Sequence, residues 1–250
     1  MTSQKKVLYL FDVDGTLTKP RQKITEEFRR FILDEVKSKV DVGLVSGSDY
    51  MKISEQMGGE DVVSNFNYVF SENGLVHHKN GKKLSSESIV NHLGEQKLQE
   101  VINFAMGYMS NIKLPVKRGN FIEFRSSMLN ICPVGRSCNQ IERDQFSEYD
   151  SKHKVRHQFV EALQSKFKDS GLKFALGGQI SIDVFPIGWD KTYCLNHIAS
   201  ENFAEIHFFG DKTDPGGNDH EIYNDSRTVG HRVSSPSDTE MQVKKCLNVE

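Results

Sequence analysis

The sequence predicts an α/β fold: a parallel sheet flanked by helices, interrupted by an inserted lobe of α+β character. Three observations carry this. A continuous apolar, β-prone run, Val7 to Phe11, ends at once in Asp12-Val13-Asp14-Gly15-Thr16, as a strand buried on both faces does where it surfaces. Short strand-like runs then alternate with helical spacing, which is the pattern of a parallel sheet. After a middle third of different texture, the same strand-then-acid pattern returns at Ala204 to Phe209, followed by Gly210-Asp211.

Taken in order, Thr25 is a helix N-cap with Glu26 and Glu27 behind it, and Phe28, Phe31, Ile32 and Val36 follow at helical spacing. Val40 to Val45 reads as a second strand ending in Ser46-Gly47-Ser48-Asp49, and Tyr68 to Phe70 as a third ending in Ser71-Glu72-Asn73-Gly74. Asn80-Gly81, between Val76 to Lys79 and Lys82 to Leu84, is a hairpin turn. The middle third opens with a helix around Leu98, Val101, Ile102, Ala105 and Met109. Strands follow at Asn120 to Arg125 and Met128 to Val134, then a helix through Val155, Phe159, Leu163 and Phe167, then strands at Leu172 to Leu176 and Gln179 to Phe185. Strands so closely spaced pair antiparallel. After Pro186-Ile187-Gly188 a helix from about Asp190 leads into the returning strand. The expected organisation is a discontinuous core of residues 1–85 and 188–250, with a cap of residues 86–187.

Composition narrows the function. Of 250 residues, 37% are apolar, enough to bury a core, so wholesale disorder is excluded. A formal charge of −2, from 32 basic and 34 acidic residues, argues against a protein that coats nucleic acid or an acidic membrane. The opening MTSQKKVLYLFDVDG has neither a span's length nor a small-residue cleavage site, and Cys132, Cys138, Cys194 and Cys246 form no Cys-x-x-Cys pair. Reduced thiols in a cytoplasmic protein are expected. The nine histidines show no metal-like grouping with the cysteines along the chain, and they read as surface or packing residues.

The chemistry concentrates at strand ends. Asp12 and Asp14, two apart beyond a buried strand, and Asp211, beyond the returning one, offer carboxylates to a crevice at the sheet edge. Mg²⁺ with one or two carboxylates, waters and a substrate phosphate is the economical filling; aspartates also end strands simply as good turn formers. Arg118, Arg125, Arg136 and Arg143 give four guanidiniums in a stretch with few acids, which suits a dianionic phosphate or a solvated basic face. Ser181 and Asp183 lie two apart on a strand and share one face.

Asp12-Val13-Asp14-Gly15-Thr16-Leu17 resembles the D-x-D-G-T signature of the haloacid dehalogenase superfamily, most of whose members transfer phosphoryl groups. The remaining signatures occur in order: the hydroxyl-bearing turn Ser46 to Ser48, Lys191 near a late helix start, and Gly210-Asp211 followed by Asn218-Asp219. The resemblance implies a Rossmann-like parallel-sheet core of the haloacid dehalogenase type, with an inserted α+β cap containing an antiparallel sheet. A closer resemblance, over nearly the whole chain, is to the eukaryotic phosphomannomutase family. It rests on Arg118-Gly119-Asn120-Phe121-Ile122-Glu123-Phe124-Arg125, Pro133-Val134-Gly135-Arg136-Ser137-Cys138, Gly177-Gly178-Gln179-Ile180-Ser181-Ile182-Asp183-Val184-Phe185-Pro186, Gly188-Trp189-Asp190-Lys191 and Phe208-Phe209-Gly210-Asp211-Lys212-Thr213. Ser46 departs from the glycine often found there, which leaves open whether Ser46 or Ser48 contacts the phosphoryl group.

That resemblance implies an isomerase interconverting mannose 6-phosphate and mannose 1-phosphate, the latter for GDP-mannose synthesis, through a hexose 1,6-bisphosphate that turns around between the lobes and also activates the enzyme. By resemblance Asp12 is the nucleophile, Asp14 the general acid/base and Lys191 a second cation, while Mg²⁺ is held by Asp12, the Asp14 backbone and Asp211. Arg21, Arg125, Arg136, Arg143, Ser181, Asp183 and Asn218 are implied substrate contacts. Tyr223, Asp225 and Thr228 match a second cation site. Relatives dimerise through their caps, and a surface around Phe104, Met106 and Met109 is the expected homodimer face. A sugar-phosphate phosphatase using the same Asp12 intermediate is the competing enzyme. A phosphate- or RNA-binding module is the non-enzymatic one, against which Asp12, Asp14, Lys191 and Asp211 and the overall charge argue.

Overall fold

The computed structural model describes Lys6 to Leu247. Contacts divide the chain into two compact units, one running to Ser86 and resuming at Gly188, the other Glu87–Ile187.

The discontinuous unit is built on a seven-stranded sheet in the order β11-β10-β1-β2-β3-β4-β5. Its strands are β1 (Val7–Phe11), β2 (Asp41–Val45), β3 (Tyr68–Ser71), β4 (Val76–Lys79), β5 (Lys82–Ser86), β10 (Glu205–Gly210) and β11 (Val229–Arg232). β11, β10, β1, β2 and β3 run parallel, while β4 and β5 close the far edge antiparallel through the Asn80-Gly81 turn, both residues at positive φ. The central strands are apolar on both faces because both are covered. Tyr9, Phe11, Val42, Leu44 and Phe209 pack on one side, and Leu8, Leu10, Val45, Tyr68, Phe70 and Phe208 on the other. Each such burial contributes about 1.5–3 kcal/mol. In register, Phe11 lies opposite both Phe209 and Leu44. The segments leaving β1, β2 and β10 therefore emerge side by side, and they carry Asp12, Ser46 and Asp211.

Thr25 caps the first helix by accepting the Phe28 N–H at 3.3 Å, and the helix Glu26–Arg30 continues as a π-helix, Phe31–Val36, in which Lys37 N donates to Ile32 O at 3.0 Å. Asp49 caps the helix Tyr50–Met57 by accepting from Lys52 N at 2.8 Å.

The second unit holds a four-stranded antiparallel sheet, β6-β7-β9-β8, made of β6 (Ile122–Phe124), β7 (Leu129–Ile131), β8 (Leu172–Gly177) and β9 (Ser181–Pro186). Its helices Glu95–Asn111 and Val155–Lys166 meet through Tyr108 stacked on Phe159, with ring centroids 4.1 Å apart. β6 and β7 are shorter than the strand-like runs Asn120 to Arg125 and Met128 to Val134. The helix Gln140–His153, not expected from periodicity, is started by a capping box between Asn139 and Glu142. The expected helix from Asp190 is Tyr193–Ile198, preceded by a turn in which Asp190 Oδ1 accepts from both Thr192 N and Oγ1.

Candidate active site

The centre of the discontinuous unit is a buried charge cluster at the ends of β1 and β10. Asp12 is anchored by its own N–H, which donates to Phe209 O at 2.9 Å. Its carboxylate accepts a short hydrogen bond from Lys191, whose ammonium, fully buried, also donates to Asp219 Oδ1 at 2.6 Å. Asp219 is fixed in turn by Lys212 N, which donates to its Oδ2 at 3.0 Å. Burial pushes the Asp12 carboxyl up to about 6 against the pull of Lys191, with the charges of Asp219 and Asp211 adding to the rise. Burial works against the Lys191 ammonium, but Asp12 and Asp219 more than reverse this and hold it above its ordinary value.

Backbone permissiveness lets the groups converge. Gly15, at φ +86°, approaches Asp211 so closely that a Cβ there would sit 2.4 Å from Asp211 Oδ2. Only glycine fits. A Cβ on Gly210 would come within 2.6 Å of Asp219 Oδ2. Asp14 occupies a tight turn in which Gly15 N donates to Thr18 O at 2.8 Å. Its Oδ1 accepts from Gln56 Nε2 and from Arg21 N, both at 2.7 Å, with Arg21 held at φ 61°. Gln56, buried on the Tyr50–Met57 helix, escaped the sequence reading; an amide among the apolar positions Ile53 and Met57 was its signal. Ser46 is buried and its Oγ accepts from Ser48 N at 3.1 Å, whereas the half-buried Ser48 hydroxyl has no hydrogen bond among the described residues.

Asp12, Asp211 and Asp219 each bring a carboxylate oxygen within 4.8 Å of the others. Asp211 Oδ1 is buried without a hydrogen-bond partner, and burial raises this carboxyl above its usual range. Three carboxylates around one ammonium, one of them with an orphaned oxygen, form an all-oxygen donor set that fits a hard divalent cation. Asp219, rather than the exposed Asn218, joins the cluster. Tyr223 ends the short helix His220–Tyr223 and Asp225 and Thr228 lie on the loop after it, but Asp225 is held by Arg227 through Nε and Nη2 at 2.9 and 2.7 Å. Thr228 Oγ1 there donates to Ile222 O at 2.5 Å and Asp225 O at 3.1 Å, so the loop closes on itself. One expectation is corrected. His207 and His231 do gather with Cys246, side chains that are far apart in sequence being joined by the β10–β11 pairing and the last helix.

The Glu87–Ile187 unit carries a separate polar network on its sheet. Arg125 and Arg136 share Glu123 Oε2, at 2.7 Å from Arg125 Nη2 and 2.9 Å from Arg136 Nε. Arg136 Nη1 donates to Asn130 Oδ1 at 2.6 Å, and Asn130 Nδ2 donates to Asp183 Oδ1 at 2.6 Å. Burial raises the Asp183 carboxyl against that bond. Ser181 Oγ donates to Gly177 O at 2.8 Å. Arg118 is taken by Glu142, at 2.8 and 2.5 Å. Arg143, half-buried on the Gln140–His153 helix, has no side-chain partner among the described residues, so its fork is open. Glu123 and Asn130 were missed by sequence, although Glu123 sits two residues from Arg125 on a strand and so shares its face. Of the expected apolar face, Met106 is 51% exposed, whereas Met109 is buried and Phe104 packs edge-on against Phe167 at 5.6 Å.

Among the described residues no helix is long and apolar enough to cross a membrane. In fold, the chain resembles an IMP-bound, N-terminally truncated IMP-nucleotidase of Plasmodium falciparum, with TM-score 0.64 and 16% identity over 99% of this chain and 69% of that one. In sequence it is 56% identical to phosphomannomutase 1 of Homo sapiens over 98% of this chain and 93% of the relative. It is 51% identical to the phosphomannomutase of Drosophila melanogaster, over 98% and 96%. Residues 28–249 match the family model described as eukaryotic phosphomannomutase. With that match spanning most of the molecule and relatives above half identity along its length, the chain belongs to the eukaryotic phosphomannomutase family.

Proposed function

We propose that the protein is a phosphomannomutase, interconverting mannose 6-phosphate and mannose 1-phosphate and so supplying mannose 1-phosphate for GDP-mannose. The observation that carries this is the convergence of Asp12, Lys191, Asp211 and Asp219 in one buried cluster. Asp12 attacks phosphorus and becomes an aspartyl phosphate, which divides one difficult transfer into two easier ones. Lys191 neutralises phosphoryl oxygens, and its bond to Asp219 keeps its ammonium in place before substrate arrives. Asp14, held by Gln56 and the Arg21 backbone, passes the proton to or from the sugar oxygen. Ser48, whose hydroxyl is uncommitted, rather than Ser46, is the phosphoryl contact in this reading. Asp12, Asp211 and the Asp14 backbone would hold Mg²⁺, which when bound supplies neutralisation of developing charge. Asn218 serves the substrate beside Asp219, and Arg21 does so from the loop after Asp14.

In the cap, Arg125 and Arg136 bind phosphate from within the Glu123–Asn130–Asp183 network, Arg143 adds its open fork, and Ser181 and Asp183 meet sugar hydroxyls. A hexose 1,6-bisphosphate primes Asp12. Tyr223, Asp225 and Thr228 would contribute oxygens to a second cation where one displaces Arg227 from Asp225. Two copies pair through the cap around Met106, and the enzyme works in the cytoplasm on small hexose phosphates.

Phosphorus NMR of the protein with Mg²⁺, mannose 1-phosphate and a trace of hexose 1,6-bisphosphate tests the reading. Mannose 6-phosphate accumulating only with the bisphosphate, and not in Asp12→Asn or after chelation of magnesium, supports it. Inorganic phosphate as the sole new signal would mean a phosphatase and overturn it.

A further inference from the structure

His207 lies on β10 and His231 on β11, and their rings lie edge to edge on the same sheet face, with planes 12° apart and centroids 5.1 Å apart. Cys246, the last residue of the helix Pro236–Cys246, brings its sulfur to within 4.8 Å of a nitrogen of each. His207 Nδ1 is 2.8 Å from His231 Nε2, and His207 Nε2 is 3.2 Å from Glu205 Oε2. All three ligand side chains are half-buried, so an ion can reach them while the surrounding sheet and helix hold them.

We infer that His207, His231 and Cys246 form a binding site for a borderline-soft divalent ion of the zinc class, separate from the carboxylate centre, that ties the C-terminal helix to the sheet edge. The donor set selects the ion: two imidazoles and a thiolate suit Zn²⁺, whereas Mg²⁺ takes oxygen. The remaining tetrahedral position falls to water. Glu205 supplies the outer shell, because His207 Nε2–H donates to its carboxylate and so leaves Nδ1 bare for the metal, as histidine ligands commonly require. Burial and the neighbouring His207 push His231 down to about 4, which keeps it in the neutral, ligating form at physiological pH. Burial raises the Cys246 thiol, so its proton goes to solvent only as the metal–sulfur bond forms. His231 shifts its proton from Nε2 to Nδ1 in the same event. The nitrogens now sharing that proton at 2.8 Å part to about 3.3 Å, the spacing of two ligands on a tetrahedral ion with metal–nitrogen bonds near 2.0–2.1 Å.

The test titrates Co²⁺ into the intact protein with excess Mg²⁺ present to occupy the carboxylate centre. One equivalent should develop a near-ultraviolet thiolate-to-cobalt charge-transfer band and the visible bands of a four-coordinate ion. Cys246→Ser should lose the charge-transfer band, and His231→Gln should weaken binding by about tenfold or more. A second readout needs no variant: Cys132, Cys138 and Cys194 are buried, so alkylation of the native protein reports Cys246, and stoichiometric Zn²⁺ should slow it about tenfold or more. Absence of the charge-transfer band in the folded protein, its survival in Cys246→Ser, or alkylation indifferent to Zn²⁺ would each overturn the site and leave an ordinary hydrogen-bonded histidine pair.

Discussion

The two charged regions of this molecule are built on opposite plans. At the ends of β1 and β10 the ions are withdrawn from water: Lys191 is fully buried, Asp219 likewise, and Asp12 is 4% exposed. In the cap, Arg125 and Glu123 have side chains 41% exposed and Arg136 30%, and one carboxylate oxygen serves two guanidiniums. Buried ions must be paired to exist at all, so the first cluster is fixed in geometry whether or not a ligand is present. Solvated ions are cheap to separate, so the second can exchange Glu123 for an incoming anion. On the proposed function, the body would supply a preorganised reaction centre and the Glu87–Ile187 unit an adaptable grip.

Breaking the body's cluster should show the difference most sharply. Lys191→Met leaves Asp12 and Asp219 buried without a counter-charge and is expected to cost about 3–5 kcal/mol of unfolding free energy, read from denaturant midpoints. A loss under about 1 kcal/mol would place this pair with ordinary surface bridges. Arg143→Ala removes the open fork and should weaken hexose-phosphate binding by about 10–100-fold, the worth of one or two charge-assisted bonds, measured by calorimetry. Stability there should change by no more than about 0.5 kcal/mol. If affinity is unchanged, the cap loses its assigned role. Protonation separates the regions next. The folded Asp12 carboxyl titrates at about 6, above an unfolded value near 3.9, so its contribution to stability is present below about pH 4 and lost as pH rises through 6 in metal-free protein. Asp12→Asn should lack that slope; parallel stability–pH curves for the two proteins would contradict the assignment. Smallest of all, Glu123→Gln should shift stability by less than about 1 kcal/mol while freeing Arg125 and Arg136, so phosphate affinity should rise, not fall.

What was legible in the sequence follows the same division. β1 is a continuous apolar run, and β2 and β10 become apolar and buried toward the ends that carry their polar groups, where burial on both faces is the reason such runs exist. Lys191 could be noticed as a lysine near a helix start, but not as a fully buried ammonium, because its carboxylate partners lie 179 and 28 residues away. The helix Gln140–His153 buries only Phe146 and Asp150, so it has almost no apolar period to read; its capping box was the available signal. β11 pairs on one side only and is partly exposed, and the sequence VGHR carries no strand pattern. The grouping of Cys246 with two histidines depends on that edge pairing, which is why counting cysteines along the chain missed it.

β1 sits between β2 and β10, and the Glu87–Ile187 insertion separates those two flanks in sequence. During synthesis from the N-terminus, β1 can pair with β2 early, but its other edge stays open until residues beyond 205 have left the ribosome. The sheet of the inserted unit, by contrast, closes within one uninterrupted stretch. The order of completion on the ribosome should therefore be insertion first and the buried carboxylate cluster last. Until then the nascent chain carries an unpaired, wholly apolar edge strand, the feature most in need of a chaperone.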